Sequence, residues 1–578
     1  MSDFILLAQD TVPRPLSIRE KLSHLAWQQG IACFFTQNVP FSYSSSFLFA
    51  SKVADTIAAF ISQLPAQPSP IGWLELGSGL GLLARHLMDA LQTRFPAMYE
   101  NSQFLCTDYA PALTERLKNS GLFAAHTSHI LFDEVDANAP VFDRVTQPTI
   151  TWMSYLLDSL ATRHFEVKNG TIFELQVQTR IKPDAKILDS RDLPPRILEG
   201  PEIVHILQTG SDADLQALGP MLTTAIEEHL IPVPLDQTDL NEPFRAHLQA
   251  FVTSLQLPEE GTFRWNIPMN ARAIFQAWVA QTPEQSLFMI NDFGYISHSV
   301  CPEPGRLTKG YGAVACYSVY FPYLCYLAKE CGLTPWTTLY PDGHTQLMIL
   351  IKGPVPEGYF PKLKELFQEA GYDHVQSIVD QVLGFRDSPE ENVKKTQALW
   401  DSLPSAEKED YLIILSCAAA CFDDGCYLDC IRFANQMPKI YDPLAIPTYQ
   451  LLGKSYNRLG DFDKARFYFN LSLSISPSFA AAHNELSLMY LKQQHYEAYL
   501  SHALTFVQAS REWIIWEQLI TLAMVQTKMG QLHKARALCN WLKTSFERYP
   551  TLIPETVKNK ADILLSSFLN ESPKQGNL

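Results

Sequence analysis

Hydrophobic positions along this chain change period several times, and each change marks an element. Between residues 17 and 64 apolar residues recur at helical spacing in two blocks. In the second, Lys52 to Leu64, the residues Val53, Ile57, Phe60, Ile61 and Leu64 share one side. The hydroxyl-rich stretch Phe41-Ser-Tyr-Ser-Ser-Ser46 lies between the blocks, so the segment reads as helix, loop, helix. Prolines between Pro65 and Pro70 break the chain. Ile71 to Leu76 is then an apolar run interrupted only by Glu75; Gly77, Gly79 and Gly81 follow, and Leu82 to Leu91 resumes helical spacing. That is strand, tight turn, helix. Gln103 to Asp108 predicts a second strand ending in an acid. His126 to Phe132 predicts a third, followed by Asp133-Glu-Val-Asp136. Thr149 to Met153 predicts a fourth, with a turn and helix over Ser154 to Leu160. Asn169-Gly170 between two alternating runs predicts a type I′ hairpin. Residues 181–285 read as a mostly helical insertion, placed to cover a cleft. Ser286 to Gly294 predicts a buried strand, Tyr311 to Cys331 an aromatic-rich helix, and Thr345 to Leu350 a late strand.

The C-terminal third repeats itself. Asp387-Ser-Pro-Glu-Glu391 is a helix start, with proline in the first turn. Gly425, Gly460 and Gly530 are spaced by 35 (460 − 425) and 70 (530 − 460), and Cys430, Ala465 and Ala535 keep the same offsets. The unit Leu452-Gly-Lys-Ser-Tyr456, Gly460, Phe462, Ala465, Phe469, Pro477 resembles a tetratricopeptide repeat, a helix pair of about 34 residues. A degenerate unit follows, with Leu486, Tyr490, Tyr496 and Ala503. Such repeats bury their faces by stacking and offer a concave surface, so a protein partner is expected there. Cys417, Cys421, Cys426 and Cys430 raise a metal question, but the repeat places three of them at packing positions, equivalent to Leu452, Tyr456 and Ala465. No metal is expected.

Composition narrows the classes. With 578 residues, roughly three to four domains are expected; the pattern suggests 1–65 as a helical segment, 66–386 as an α/β domain with its insertion at about 181–285, and 387–578 as the repeat array. Asp and Glu number 61 against 45 Lys and Arg, a net charge of −16, which disfavours nucleic acid as a ligand. No apolar run reaches the ~18–20 residues of a membrane span, and no signal peptide is read. Eleven cysteines in this context suggest reduced thiols and a cytoplasmic setting.

The glycine turn carries the candidate chemistry. Glycines allow a sharp turn and close approach of a ligand to the backbone, and the following helix start presents unpaired N–H groups. A dinucleotide site needs glycine at position 82, where Leu82 stands. The observed G-x-G-x-G, with Glu75 two residues ahead, resembles motif I of class I S-adenosylmethionine (SAM) methyltransferases. The resemblance implies that Gly77, Ser78, Gly79 and Gly81 cradle the methionine end of SAM and that Glu75 faces its ammonium. Asp108, at the carboxyl edge of the neighbouring strand, would accept from the ribose hydroxyls, and Asp136 would reach the adenine amino group.

A closer resemblance spans roughly residues 15–355. The serine-rich entry loop, the glycine turn, the acid-ended second strand, Leu157-Asp-Ser-Leu160 before a hairpin, Asn291-Asp-Phe-Gly294 and the Tyr/Phe-rich segment ending Cys-Gly-Leu333 together resemble the MidA-like methyltransferases. These are relatives of a mitochondrial complex I assembly factor that methylates a protein arginine. One departure stands out: the family carries Asn-Glu where this chain has Ser154-Tyr155, and proline where it has Ala161. The expected fold is therefore an α/β Rossmann-like methyltransferase domain followed by an all-α tetratricopeptide-like array. The expected activity is SAM-dependent methylation of a protein, with arginine implied by the family. Asp158, Asn291 and Asp292 are the candidates for positioning the acceptor; the plainer reading is that they cap a turn and end a strand. The alternative function is an inactive methyltransferase-fold scaffold working through its repeats.

Overall fold

The structure is a computed structural model. It describes every residue except 1–4, 8–10, 31–32, 34–45, 65–69, 138–147, 258–261, 298–306, 343, 369–370, 511–514 and 571–578. The serine-rich loop up to residue 45 and the proline break at 65–69 lie outside the described residues. Ser46, the last of that loop, caps the helix Phe47–Ile61 by accepting from the Phe49 N–H at 3.1 Å.

Among the described residues seven strands form the main path of an eight-stranded sheet, β1 (Ile71–Leu76), β2 (Ser102–Asp108), β3 (Ile130–Glu134), β4 (Pro148–Ser154), β5 (Ser286–Tyr295), β6 (Thr334–Thr337) and β7 (Thr345–Lys352), and the eighth, the short Val319–Tyr320, pairs parallel to the end of β5. The order along the main path is 3-2-1-4-5-7-6. Pairings β1–β2, β1–β4, β2–β3 and β4–β5 are parallel, and β7 runs antiparallel to both its neighbours. Parallel central strands are covered on both faces, so β1 is buried throughout and its alternation disappears. The order of strands reverses beside β1, so a crevice opens at the carboxyl ends of β1, β2 and β4.

One face of the sheet, with Trp73, Phe104 and Trp152, packs against the helices Phe47–Ile61 and Leu82–Arg94. The other face, with Leu74, Leu76 and Met153, packs against a second sheet and the helices Ala271–Gln281 and Phe321–Glu330. The second sheet is antiparallel. It is built on the predicted hairpin, Thr162–Lys168 and Thr171–Ile181, whose turn residues Asn169 and Gly170 have φ of 50° and 76°.

Three expectations are corrected. The interval 181–285 is mixed rather than mostly helical: Ile226–Pro234 pairs along Thr171–Ile181, and Thr262–Pro268 pairs with Thr162–Lys168. The first half of Tyr311–Cys331 is strand, with Val314–Tyr317 closing a hairpin on Thr308–Tyr311; the helix starts only at Phe321, where Pro322 occupies its first turn. After β4 there is a single 3₁₀ turn, Leu157–Ser159, not a helix.

From Pro389 on, every regular element among the described residues is helical. Antiparallel pairs are Tyr411–Asp423 with Tyr427–Ala434, Ile446–Leu459 with Phe462–Ile475, Ala480–Lys492 with Tyr496–Ala509, and Trp516–Lys528 with Leu532–Arg548. Gly425, Gly460 and Gly530 turn the first, second and fourth pairs with φ of 77°, 83° and 75°. Where a glycine is missing in the third, Gln494 adopts φ 61°. Cys417, Cys421 and Cys430 are buried between helices, as their repeat positions predict.

Candidate active site

Gly77, Gly79 and Gly81 all take left-handed φ, at 72°, 51° and 73°. A Cβ on Gly81 would come within 2.6 Å of Leu117 Cδ2, and one on Gly77 within 3.0 Å of Leu156 Cδ1. Geometry and space therefore both demand glycine at the two ends of the turn. The helix Leu82–Arg94 starts at Gly81 without a side-chain cap, so its first N–H groups remain available to an acceptor in the turn.

Each predicted acid occupies a distinct place. Asp108 lies across the turn. Its Oδ2 accepts from the Gly79 N–H at 3.0 Å, and its Oδ1 from the Ala110 N–H at 3.0 Å. Burial raises its pKa, and these backbone donors pull it back. A carboxylate has further lone pairs, so ribose hydroxyls remain acceptable partners. Glu75 sits under the turn rather than in its mouth: it is 3% exposed and flanked by Cys106 and Trp152 on the adjoining strands. The Cys106 thiol donates to its Oε2 at 3.6 Å. Burial pushes the Glu75 carboxyl up to about 7, against the Trp152 indole, the Ser78 hydroxyl and the Cys106 thiol. Asp136 is exposed just beyond β3, close enough to Tyr109 to influence its hydroxyl.

Asp158 and Asp292 come together on the other face of the sheet. Asp292 is fully buried; its Oδ2 accepts from the N–H groups of Leu157 and Asp158 at 2.9 and 3.3 Å, so it holds the turn that carries Asp158. Asp158 is 5% exposed, and its Oδ1 has no partner among the described residues. Burial raises both carboxyls, Asp158 to about 7 and Asp292 well beyond the usual carboxylate range, where the charge of Asp158 adds to the shift. Two groups that the sequence reading missed complete the cluster. The Cys316 thiol and Lys309 both lie close enough to stabilise the Asp158 charge, and Lys309 Nζ is 3.5 Å from the centre of the Phe293 ring. Both sit on the hairpin Thr308–Tyr311 and Val314–Tyr317, whose second arm falls in the stretch read as helix; Gly312 between its arms was the available signal.

Asn291 does not join that cluster. Adjacent residues of a strand face opposite sides, and Asn291 Nδ2 donates to Ser154 Oγ at 3.1 Å. Tyr155, where the family carries Glu, has φ 50° and bonds Thr345 Oγ1 through its hydroxyl at 2.7 Å. A non-glycine residue held left-handed costs about 1–3 kcal/mol and marks a position fixed by its surroundings.

The repeat region reaches this site. Ile440 lines a recess shared with Gly79, Leu80, Leu113 and Arg116. Tyr441 bonds His86 Nε2 on the motif helix at 3.0 Å. Among the described residues no cluster of three or more His, Cys, Asp or Glu is arranged to hold a metal, and no helix is long and apolar enough to cross a membrane.

Residues 53–311 match the model of a family described as "Putative S-adenosyl-L-methionine-dependent methyltransferase", and residues 446–479 match a tetratricopeptide repeat model. No curated protein matches the chain. Among solved structures, a Burkholderia thailandensis protein bound to S-adenosyl-homocysteine aligns at 12% identity over 59% of this chain and 88% of its own, with a TM-score of 0.38. A second protein from that organism aligns at 13% identity over 60% and 97%, with a TM-score of 0.36. Likenesses at this level carry no weight about the chemistry.

Proposed function

We propose, from the premise that residues 53–311 carry an S-adenosylmethionine-dependent methyltransferase domain, that the enzyme methylates a protein recruited by its tetratricopeptide-like array. SAM, when bound, supplies an activated methyl on a sulfonium, so the protein has mainly to orient donor and acceptor and to exclude water. The glycine turn and the helix start behind it suit the methionine end of the cofactor, and Asp108 suits its ribose. Glu75 would act from beneath, holding the turn. On the acceptor side, the observation that carries the reading is the buried pair Asp158 and Asp292 at the carboxyl edge, with an orphaned Asp158 oxygen. Such a pair suits a nitrogen that arrives with a proton to lose; arginine, implied by the family resemblance, fits. The free thiols agree with a reducing, cytoplasmic setting.

The competing scaffold reading has one observation in its favour, the Tyr155 hydroxyl bonded to Thr345 where the family carries a glutamate. Turnover separates the two. The full-length protein, given SAM and an extract of cells lacking it, is expected to release S-adenosylhomocysteine and label discrete proteins, and Asp158→Asn is expected to abolish the labelling while SAM still binds. SAM binding without turnover in any extract would favour the scaffold.

A further inference from the structure

The inner helices of the array repeat their surface as well as their core. Taking the left-handed residues Gly460, Gln494 and Gly530 as register marks, the position two residues earlier is Arg458, Lys492 and Lys528. All three side chains are exposed, and none pairs with a carboxylate among the described residues. Lys528 leans toward the Tyr496 hydroxyl, with its Nζ 3.5 Å away. Six residues before the mark stand Lys454 in the first unit and Leu488 and Met524 in the next two, the latter 37% and 45% exposed. The last helix adds Ile563, 71% exposed.

Ion pairs show that these helices stand side by side. Lys454 reaches Glu485 at 3.9 Å, and Lys560 reaches Glu517 at 2.6 Å. The array thus carries three kinds of group on one face: carboxylates already matched to Lys454 and Lys560, apolar side chains on the later units, and a ladder of cations with no acid opposite them. On a chain of net charge −16, a row of one sign repeated on three consecutive units is a local reversal.

We infer that this face is a docking surface for an extended acidic peptide, whose carboxylates meet Arg458, Lys492 and Lys528 while its apolar residues lie along Leu488, Met524 and Ile563. Packed helices lie about 8–10 Å apart, and an extended chain advances about 3.1–3.4 Å per residue, so acidic residues at roughly every third position match the rungs. The apolar side chains beside the cations favour a peptide over a nucleic acid, which needs more phosphate contacts and stacking aromatics. The inference deepens the recruitment reading by naming the partner's chemistry, but the binding it describes needs neither SAM nor turnover.

The test uses full-length protein and a fluorescein-labelled peptide with glutamate at roughly every third position and leucine between, alongside the same peptide with lysine for glutamate and a short oligodeoxythymidine. Anisotropy is expected to show saturable binding of the acidic peptide alone, weakened by salt. The triple variant Arg458→Glu, Lys492→Glu, Lys528→Glu, all at exposed positions, is expected to lose about tenfold or more in affinity and to shift preference to the lysine peptide. Leu488→Ser with Met524→Ser is expected to weaken the acidic peptide without reversing the preference. Equal binding of the two peptides, no binding of the acidic one, a triple variant that binds as the parent does, or tighter binding of the oligonucleotide would overturn the inference. SAM titration of the same samples separates the outcomes: peptide binding without SAM binding sinks the methyltransferase reading and leaves the docking surface standing.

Discussion

Glu75 is a carboxyl group with almost no water to stabilise its charge. Its pKa rises from 4.5 to about 7 on folding, so between those values the native state binds more protons than the unfolded chain. Its contribution to stability is therefore fully present below the unfolded pKa and is lost as pH rises through about 7. The full difference is on the order of 3 kcal/mol. Glu75→Gln is expected to melt higher than the parent at pH 8, with the gain shrinking to well under half at pH 5; equal melting shifts at both pH values would mean that the carboxyl is not buried as described. Asp108 is expected to behave differently, because it faces the turn. Asp108→Ala should weaken SAM binding by ~1–3 kcal/mol in calorimetry, through the ribose and through release of the Gly79 N–H. Both acids stand out in the sequence, Asp108 because it ends an apolar run and Glu75 because it alone interrupts one just before the glycine turn, whereas the burial of Glu75 beneath the turn has no sequence signal. Cys316 and Lys309 were not legible, since they meet Asp158 only across some 150 intervening residues (309 − 158 = 151).

Elements were readable where one period dominated. The hairpin at Asn169-Gly170 and the buried strands β1 and β5 follow from turn chemistry and continuous apolar runs. The strand Ile226–Pro234 was hidden because its sequence, with two acids, a histidine and two prolines, forms a half-buried edge defined by its partner rather than by its own pattern. The hairpin after residue 307 was hidden because Val314–Tyr317 is buried on both faces, which erases alternation. The repeats show the same logic within one family of turns. Three use glycine for the left-handed position, and the degenerate unit forces Gln494 into it. Gln494→Gly is expected to stabilise the protein by about 0.5–1 kcal/mol, because the strain of a side chain at positive φ exceeds the added chain entropy of glycine. A rise in thermal midpoint measures it; an unchanged or lower midpoint would place the strain elsewhere. By contrast nothing crowds a Cβ at Gly460, so Gly460→Ala is costly for its φ alone.

At the scale of the whole molecule, the array is joined to the cofactor side of the α/β domain rather than hung from it. Tyr411 and Tyr441 belong to the same buried cluster as Trp73 and Leu87, and Leu412, Met437 and Ile440 pack against it. A second joint lies at the far end, where Leu188 enters the core of the last repeats and Glu199 bonds Tyr549 at 2.8 Å. By the sequence boundary at residue 386 alone, a chain ending there would keep every proposed cofactor residue and bind SAM. With the shared core, that truncation exposes the apolar floor beneath Tyr441 and is expected to lose cooperative unfolding and SAM affinity together. The first joint also carries a pH dependence. Burial lowers the His86 pKa from 6.5 to about 4, so between those values the unfolded chain binds the extra proton, and stability is lost as pH falls below 6.5. Scanning calorimetry of the full chain is therefore expected to show one transition at pH 7.5 and a separating array transition near pH 5. Tyr441→Phe, which removes the hydroxyl partner of His86, should cost about 0.5–1.5 kcal/mol and bring that separation to higher pH. A truncated chain that binds SAM as the parent does would show that the two halves fold and act independently, and one transition at both pH values would show that protonating His86 does not loosen the joint.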